Sequence, residues 1–467
     1  MQSLFPIQHH WKDRLVRGYA KFKQLIKSPT LAHVMCAAVI GLVASIGAIF
    51  IREAIEHSMV FLLQINDKQL QVGILSPYYH LNPWQILTVP MAGGLVIGGC
   101  YHWLSRQQQP QGIADVMAMN AGKHKITLRE ALVQTPLHIL SIGCGGSSGR
   151  EGPAVYLAAG LSSGFARLFK LEAKTYRTLL GAAIAAAVAA SFNAPLAGVF
   201  FALEVILGAY AIASFAPIVM ASVVGTMASR FYYGDAPIFD LGAHTVKSFA
   251  EIPAFILLGL FCGMAAHLLI ILIWRLKDFY DRLEVKPFLR PALGGGLLGI
   301  LALFFPQVLG LGYGLSNAAL NNAIEIKLLF LLITAKFIAC VITLGSGFGG
   351  GVFSPALAMG ALIGVFFGTM ATLIFPELSS GVTAYGILGM AAMAGALLGA
   401  PISTILMIFE LTADHRLTVA VMISTVFSSQ YLLHAHGYSF FTMHLKMRGL
   451  CDQPGFTLPP NPAKDSK

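Results

Sequence analysis

The chain has 467 residues, 56% of them hydrophobic and only 11% Asp, Glu, Lys or Arg, less than half the roughly 25% charge of a soluble globular protein, and its mean hydropathy is +0.72. A soluble fold of this length could not cover its surface with so few charges, which excludes soluble enzymes, nucleic-acid binders and secreted scaffolds and leaves an integral membrane protein. The formal net charge of +10 then reads as membrane topology rather than as a nucleic-acid partner.

Along the chain, Lys12, Arg14, Arg17, Lys21, Lys23 and Lys27 come first, with only Asp13 against them. Residues 1–30 are therefore expected to form a basic segment held on the cytoplasmic side by the positive-inside rule; a solvated tail is compatible with the same orientation. The length of the basic stretch and of the run that follows argues against a cleaved signal peptide. Leu31 to Ile51 is long enough for a first span. Apolar runs follow near 86–105, 131–149, 153–169, 178–192, 195–210 and 212–229, and a second series near 250–275, 291–305, 328–345, 355–375, 384–399, 401–412 and 417–434. Several are shorter than a span and are cut by Gly or Pro, as expected where helices stop inside the membrane and line a cavity. More hydrophilic breaks fall near 64–84, 232–248, 276–290 and 306–326, of which Lys277 to Arg290 reads as a cytoplasmic connection. From Leu450 onward a short, polar, Pro-rich tail (450–467) leaves no room for a soluble regulatory domain. The six cysteines are scattered without a CxxC pair, which speaks against a disulfide framework or a zinc site.

An internal repeat is visible. Ala194-Pro195 leads an apolar run to Glu204 and Ala400-Pro401 leads one to Glu410, both ten residues from Ala to Glu, and each follows a Gly/Ala-rich segment. Upstream, each half has a Gly/Ser cluster that closes on a proline, Gly146 to Pro153 and Gly345 to Pro355. The division expected is a first membrane repeat over 31–248 and a second over 249–449. Two halves with interrupted helices point to a transporter-type site at the repeat interface.

Between residues 131 and 165 the only Asp, Glu, Lys or Arg are Arg150 and Glu151. Each charge costs about 2.5–3.5 kcal/mol at the membrane centre, so an adjacent pair needs a reason. Flanking glycines permit a turn, Pro153 suits the first turn of a helix, and a helix starting there points free N–H groups at an anion. A carboxylate at such a start can substitute for a mobile anion; the bland alternative is a buried Arg150–Glu151 pair. The second cluster contains Gly345-x-Gly347-x-x-Gly350, formally a dinucleotide fingerprint, but its flanks are membrane spans and not a strand–helix unit. It reads as a second amide site for an anion, or as a flexible packing loop. Glu204, the only charged residue between 178 and 229, could relay protons or cap a helix end, and Glu410 reads as capped or interfacial. Lys336 could support an anion electrostatically or snorkel. His138 and His33 read as satisfied core histidines.

Taken together, Gly149-Arg-Glu-Gly-Pro153, Phe192-Asn-Ala-Pro-Leu-Ala-Gly198 and Gly351-Val-Phe-Ser-Pro355 resemble the CLC family of chloride channels and chloride/proton antiporters, and Glu204-Val-Ile-Leu-Gly208 resembles its bacterial ClcB-type branch. The likeness covers about residues 30–450. It implies an all-α multi-pass membrane protein of two inverted repeats of tilted and broken helices, a homodimer in the bacterial inner membrane with one chloride pathway per subunit, no cofactor and no enzymatic activity. It implies that Glu151 is the external gating glutamate, that backbone amides of Arg150, Glu151 and Gly152 face the outer anion positions, and that those of Val352 and Phe353 face the central one. Three departures bear on mechanism. The serine that coordinates the central anion in the family falls on Gln111, the family's tyrosine hydroxyl falls on Phe441, and the internal proton acceptor of many antiporters, next to Glu204, is Val205. Weaker coordination and a missing proton carrier favour passive chloride conductance over antiport, with Glu204 or a water chain as the route by which antiport would survive. A fluoride preference is a narrower alternative. An intramembrane serine hydrolase using Ser147 or Ser148 with His138 is a remote one.

Overall fold

The computed structural model describes residues 29–64, 82–104, 109–210, 212–239, 241, 245–413, 415–451 and 454–455. The basic segment before residue 29 and most of the tail after 450 lie outside the described residues.

Long apolar runs become long helices. The first eight are α1 (Pro29–Leu63), α2 (Pro83–Leu104), α3 (Ile113–Asn120), α4 (Leu128–Gly143), α5 (Glu151–Phe169), α6 (Ala173–Phe192), α7 (Pro195–Phe201), which continues as a π turn over Ala202–Leu207, and α8 (Ile212–Tyr233). The next eight are α9 (Ile252–Arg282), α10 (Arg290–Phe304), α11 (Tyr313–Leu320), α12 (Ile326–Gly345), α13 (Phe353–Ile374), α14 (Val382–Leu398), α15 (Pro401–Thr412) and α16 (Thr418–His436), and α17 (Phe440–Met447) closes the series. At 1.5 Å per residue, the 35 residues of α1 make about 52 Å, well beyond a hydrocarbon core of about 30 Å, and the part past Ile51 carries Arg52, Glu53, Glu56 and His57. Among the described residues, eight helices are long and apolar enough to cross a membrane, and large apolar side chains such as Phe50, Trp103, Phe231 and Phe304 stand on the outside of the bundle, where lipid would cover them. The chain is a multi-pass membrane protein.

The second eight helices repeat the first eight in order and approximate length, and the contacts between them are reciprocal. Gly149 N–H donates to Gly351 O at 2.7 Å and Gly351 N–H to Gly149 O at 2.8 Å, an antiparallel bridge between equivalent positions of the two halves. A Cβ on Gly94 would lie 2.2 Å from Pro291 O, and one on Gly295 would lie 2.1 Å from Pro90 O, so α2 and α10 cross backbone against backbone. This is the geometry of inverted repeats about a two-fold axis. Alanine- and glycine-rich α6 and α14 are buried along almost their whole length, from Leu179 and Ala384 onward, because small residues let neighbouring backbones approach closely.

Three short helices, α3, α11 and α17, were not legible as apolar runs; α11 lies inside the stretch near 306–326 that reads as a hydrophilic break. At eight residues each they are too short for a periodic signal. The connection near 276–290 begins later than composition suggests, since α9 runs to Arg282.

Candidate functional site

The two glycine clusters meet at the centre of the fold, each running into a helix N-terminus. Gly347, Gly349 and Gly350 have φ of 82°, 91° and 111°, in the left-handed region that favours glycine. Pro153 and Pro355 are the third residues of α5 and α13, where a missing N–H costs nothing. Glu151, the first residue of α5, is 2% exposed, and its carboxylate crosses to the start of α13. Oε1 accepts from Phe353 N–H at 2.7 Å and Oε2 from the Ser354 hydroxyl at 3.2 Å. A Cβ on Gly149 would lie 2.0 Å from Oε2 and one on Gly351 1.8 Å from Oε1, so the carboxylate fits only because both flanking residues lack a side chain. A negative group thus occupies the amides that the helix dipole makes attractive to an anion.

Arg150 and Glu151 do not bond to each other. The Arg150 guanidinium donates to Ser191 O at 2.8 Å and stands 5.6 Å from the Phe192 ring centre and 5.1 Å from that of Tyr313; Phe192 packs edge-on to Phe353 at 5.2 Å. The bland reading of a buried ion pair gives way to an arginine held by a carbonyl and two aromatic faces. Tyr313 and Ser354 were not singled out from the sequence, although their hydroxyls are 3.1 Å apart and Ser354 touches the Glu151 carboxylate. Ser354 does lie inside the Gly351 to Pro355 motif.

Gln111, Gly152, Gly351 and Phe441 line one cavity of about 380 Å³. The Gln111 side-chain oxygen accepts from the Tyr156 hydroxyl, and Phe441 is 4% exposed. Val352 is the N-cap residue of α13, fully buried beside Phe353. Lys277, Arg290 and His444 also line the cavity. Burial, with Arg448 and Lys277 nearby, holds the His444 imidazole well below its usual range, so the cationic lining comes from Lys277 and Arg290. Arg448 pairs with the buried Asp115 and donates to Pro110 O at 3.4 Å, tying the end of α17 to the start of α3. No local pattern in the sequence marks that pair, whose members are 333 residues apart.

Glu204 goes elsewhere. Its Oε1 accepts from Ile402 N–H at 3.2 Å and its Oε2 from Ser403 N–H and hydroxyl at 2.7 and 2.8 Å. Glu410 accepts from Leu196 and Ala197 N–H at 2.9 and 2.8 Å. Each acid therefore caps the proline-led helix of the other repeat, α15 and α7, and Val205 beside Glu204 is buried. Lys336 does not snorkel: it is fully buried, and its ammonium donates to Val308 O and Gly310 O at 2.9 and 3.0 Å. His33 pairs with Thr175 at 3.1 Å. His138 is satisfied on one side only, with Nε2 2.9 Å from Gln111 O and Nδ1 unpartnered. The buried Ser147 and Ser148 hydroxyls are also unpartnered, so neither is bonded to His138 as a hydrolase nucleophile would be.

The family model for voltage gated chloride channels matches residues 93–432. A chloride channel protein ClcB-like from Ralstonia nicotianae is 30% identical over 406 residues, covering 86% of this chain and 93% of its own. The voltage-gated ClC-type chloride channel ClcB of Escherichia coli is 28% identical over 415 residues, covering 88% and 98%. Among solved structures, a slow cyanobacterial Cl−/H+ antiporter superposes with a TM-score of 0.78 at 23% identity, over 90% of this chain and 98% of its own.

Proposed function

This chain belongs to the voltage gated chloride channel (CLC) family and transports chloride, and from that premise we propose passive, channel-like conductance through one pathway per subunit, gated by Glu151. The observation that carries this reading is the Glu151 carboxylate on the Phe353 amide. In that position it plugs the site as a tethered anion, and a chloride ion can take its place once the side chain swings away or is neutralised by a proton. Amides of Arg150, Glu151, Gly152, Val352 and Phe353 then hold the ion by partial charge alone, weakly enough to let it go. Gln111 is engaged with Tyr156 and Phe441 has no hydroxyl, which supports a loosely coordinated central anion. Val205 offers no acid for a proton from the opposite side, and Glu204 is bound to the start of α15. Antiport remains the second reading because Glu151, which it requires, is present.

The same reading takes residues 31–248 and 249–449 as the two repeats, 1–30 and 450–467 as flanking segments, the N-terminus as cytoplasmic and the protein as a homodimer of the bacterial inner membrane. The matching order of the two sets of eight helices and the basic residues ahead of α1 support it.

The test uses purified protein in chloride-loaded liposomes diluted into low chloride. Valinomycin should release rapid chloride efflux with no proton movement, and Glu151→Gln should conduct without dependence on pH. Uphill proton uptake that vanishes in Glu151→Gln would overturn passive conductance in favour of antiport.

A further inference from the structure

Unpartnered polar atoms stand beside consecutive glycines of the loop that leads into α13. A Cβ on Gly349 would lie 2.8 Å from His138 Nδ1 and 2.9 Å from the Tyr101 hydroxyl oxygen. One on Gly350 would lie 2.3 Å from Ser148 Oγ, and one on Gly351 1.8 Å from Glu151 Oε1. His138, Tyr101 and Ser148 are 1%, 2% and 0% exposed, and Nδ1, the phenol oxygen and Oγ have no hydrogen-bond partner. A buried polar atom left without a hydrogen-bond partner is destabilising, so three along one loop need an explanation. Neighbouring Cα atoms are about 3.8 Å apart, so the groups follow the loop in the order imidazole with phenol, hydroxyl, carboxylate.

The histidine has a defined polarity. Its Nε2 faces the Gln111 carbonyl oxygen, which can only accept, so Nε2 carries the proton and the neutral ring presents a bare Nδ1 lone pair to Gly349. His138 and Tyr101 line the cavity, as do Gly349, Gly350 and Gly351, and Glu151 lies at the Gly351 end of this glycine run.

We propose that Glu151 is protonated from the cavity through a relay of His138, Tyr101 and Ser148. A proton from cavity water binds His138 Nδ1. It passes by way of the Tyr101 and Ser148 hydroxyls, each releasing its own proton as it accepts another, with water bridging where they do not meet. It ends on the Glu151 carboxylate, and His138 returns to its neutral form. The inference rests on Glu151 being the gate, and it supplies a cavity-side proton route in a chain that has Val205 where an acid would otherwise stand.

Other titratable groups face this path. Lys277, Arg290 and His444 look on from α9, α10 and α17 across the cavity, and Asp115 of α3 is held by Arg448. Tyr156 of α5 bonds the Gln111 side chain and interacts with Tyr101, Cys100 adjoins Tyr101 on α2, and α1 presents the uncharged Ser58 to Gly143 of α4. Around Glu151, the interacting groups are Arg150, Tyr313 and Cys340. None of these is among the atoms that a Cβ on Gly349 or Gly350 would meet first.

The test is one-sided acidification of full-length protein in a planar bilayer, reading how fast chloride current activates after acid is added to each face. His138→Gln keeps an N–H for the Gln111 carbonyl but cannot titrate; Ser148→Ala and Tyr101→Phe each remove a single oxygen and should fold. Activation from the cavity face should slow at least about tenfold in His138→Gln and Ser148→Ala, while activation from the other face keeps its wild-type rate. Wild-type rates from both faces in these variants would overturn the relay, and so would equal slowing from both faces, the mark of a structural effect. If Glu151→Gln still responds to acid, the gate itself is misassigned and the relay falls with it; loss of both responses in Glu151→Gln with unchanged relay variants would sink the relay alone.

Discussion

Two pairs of equivalent segments meet across the repeat axis, and they differ in one respect. Where α7 meets α15, both halves contribute an acid: Glu204 caps α15 and Glu410 caps α7, so the contact is reciprocal. Where the glycine loops meet, the backbone is reciprocal through Gly149 and Gly351 but the side chains are not. Glu151 and Phe353 each stand two residues beyond a bridging glycine, so the first half offers a carboxylate and the second half an amide. A symmetric pair of caps satisfies helix ends that would otherwise be buried without partners, and it has nothing left over to bind. The asymmetric pair leaves one negative group on the amide of the other half; in the proposed reading that is the anion site, reciprocity marks the scaffold, and its loss marks the gate.

The strongest way to break this comparison is to dislodge the carboxylate without touching it. Gly351→Ala puts a methyl where Oε1 sits; the gate should stay out of its site, and chloride efflux should lose most of its pH dependence, as in Glu151→Gln. An unchanged pH profile of efflux in that variant would mean that the carboxylate position has no part in gating. The symmetric contact should behave differently. Glu204→Gln and Glu410→Gln each remove a charged acceptor from two backbone N–H groups, at a cost of about 1.5–3 kcal/mol, and thermal unfolding in detergent should show similar losses for both. A drop for only one of them would disprove the equivalence of the caps. The smallest effect is expected at the cavity: Phe441→Tyr offers a new hydroxyl to the central anion, worth about 0.5–1.5 kcal/mol, and calorimetric titration with chloride should show a few-fold tighter binding.

The site was partly legible before the fold was known. The lone charges Arg150 and Glu151 within an apolar stretch, and the glycine runs closing on Pro153 and Pro355, are local signals, and the structure brings those segments together. Tyr313, Asp115 and Arg448 gave no such signal and Ser354 only its place in the Gly351 to Pro355 motif, because each acquires its meaning from a partner distant in the chain. Lys336 illustrates the limit from the other side. A lone lysine in an apolar helix suggests charge chemistry, yet its partners are two backbone carbonyls, Val308 and Gly310, that only the tertiary turn exposes. His138 reads as a core histidine in one dimension and shows a bare nitrogen in three.

By itself the sequence determined that this is a membrane protein of two similar halves, since charge content, apolar runs and the paired Ala-Pro and glycine clusters depend on composition and spacing alone. The tertiary structure decided which half gives the acid and which the amide, that Glu204 and Glu410 exchange helix ends, and that the orphaned groups of α2, α4 and the loop before α5 gather beside Gly349 and Gly350. Those are contacts between segments up to about 250 residues apart, and backbone groups buried from water are satisfied, or left unsatisfied, only when the helices have packed.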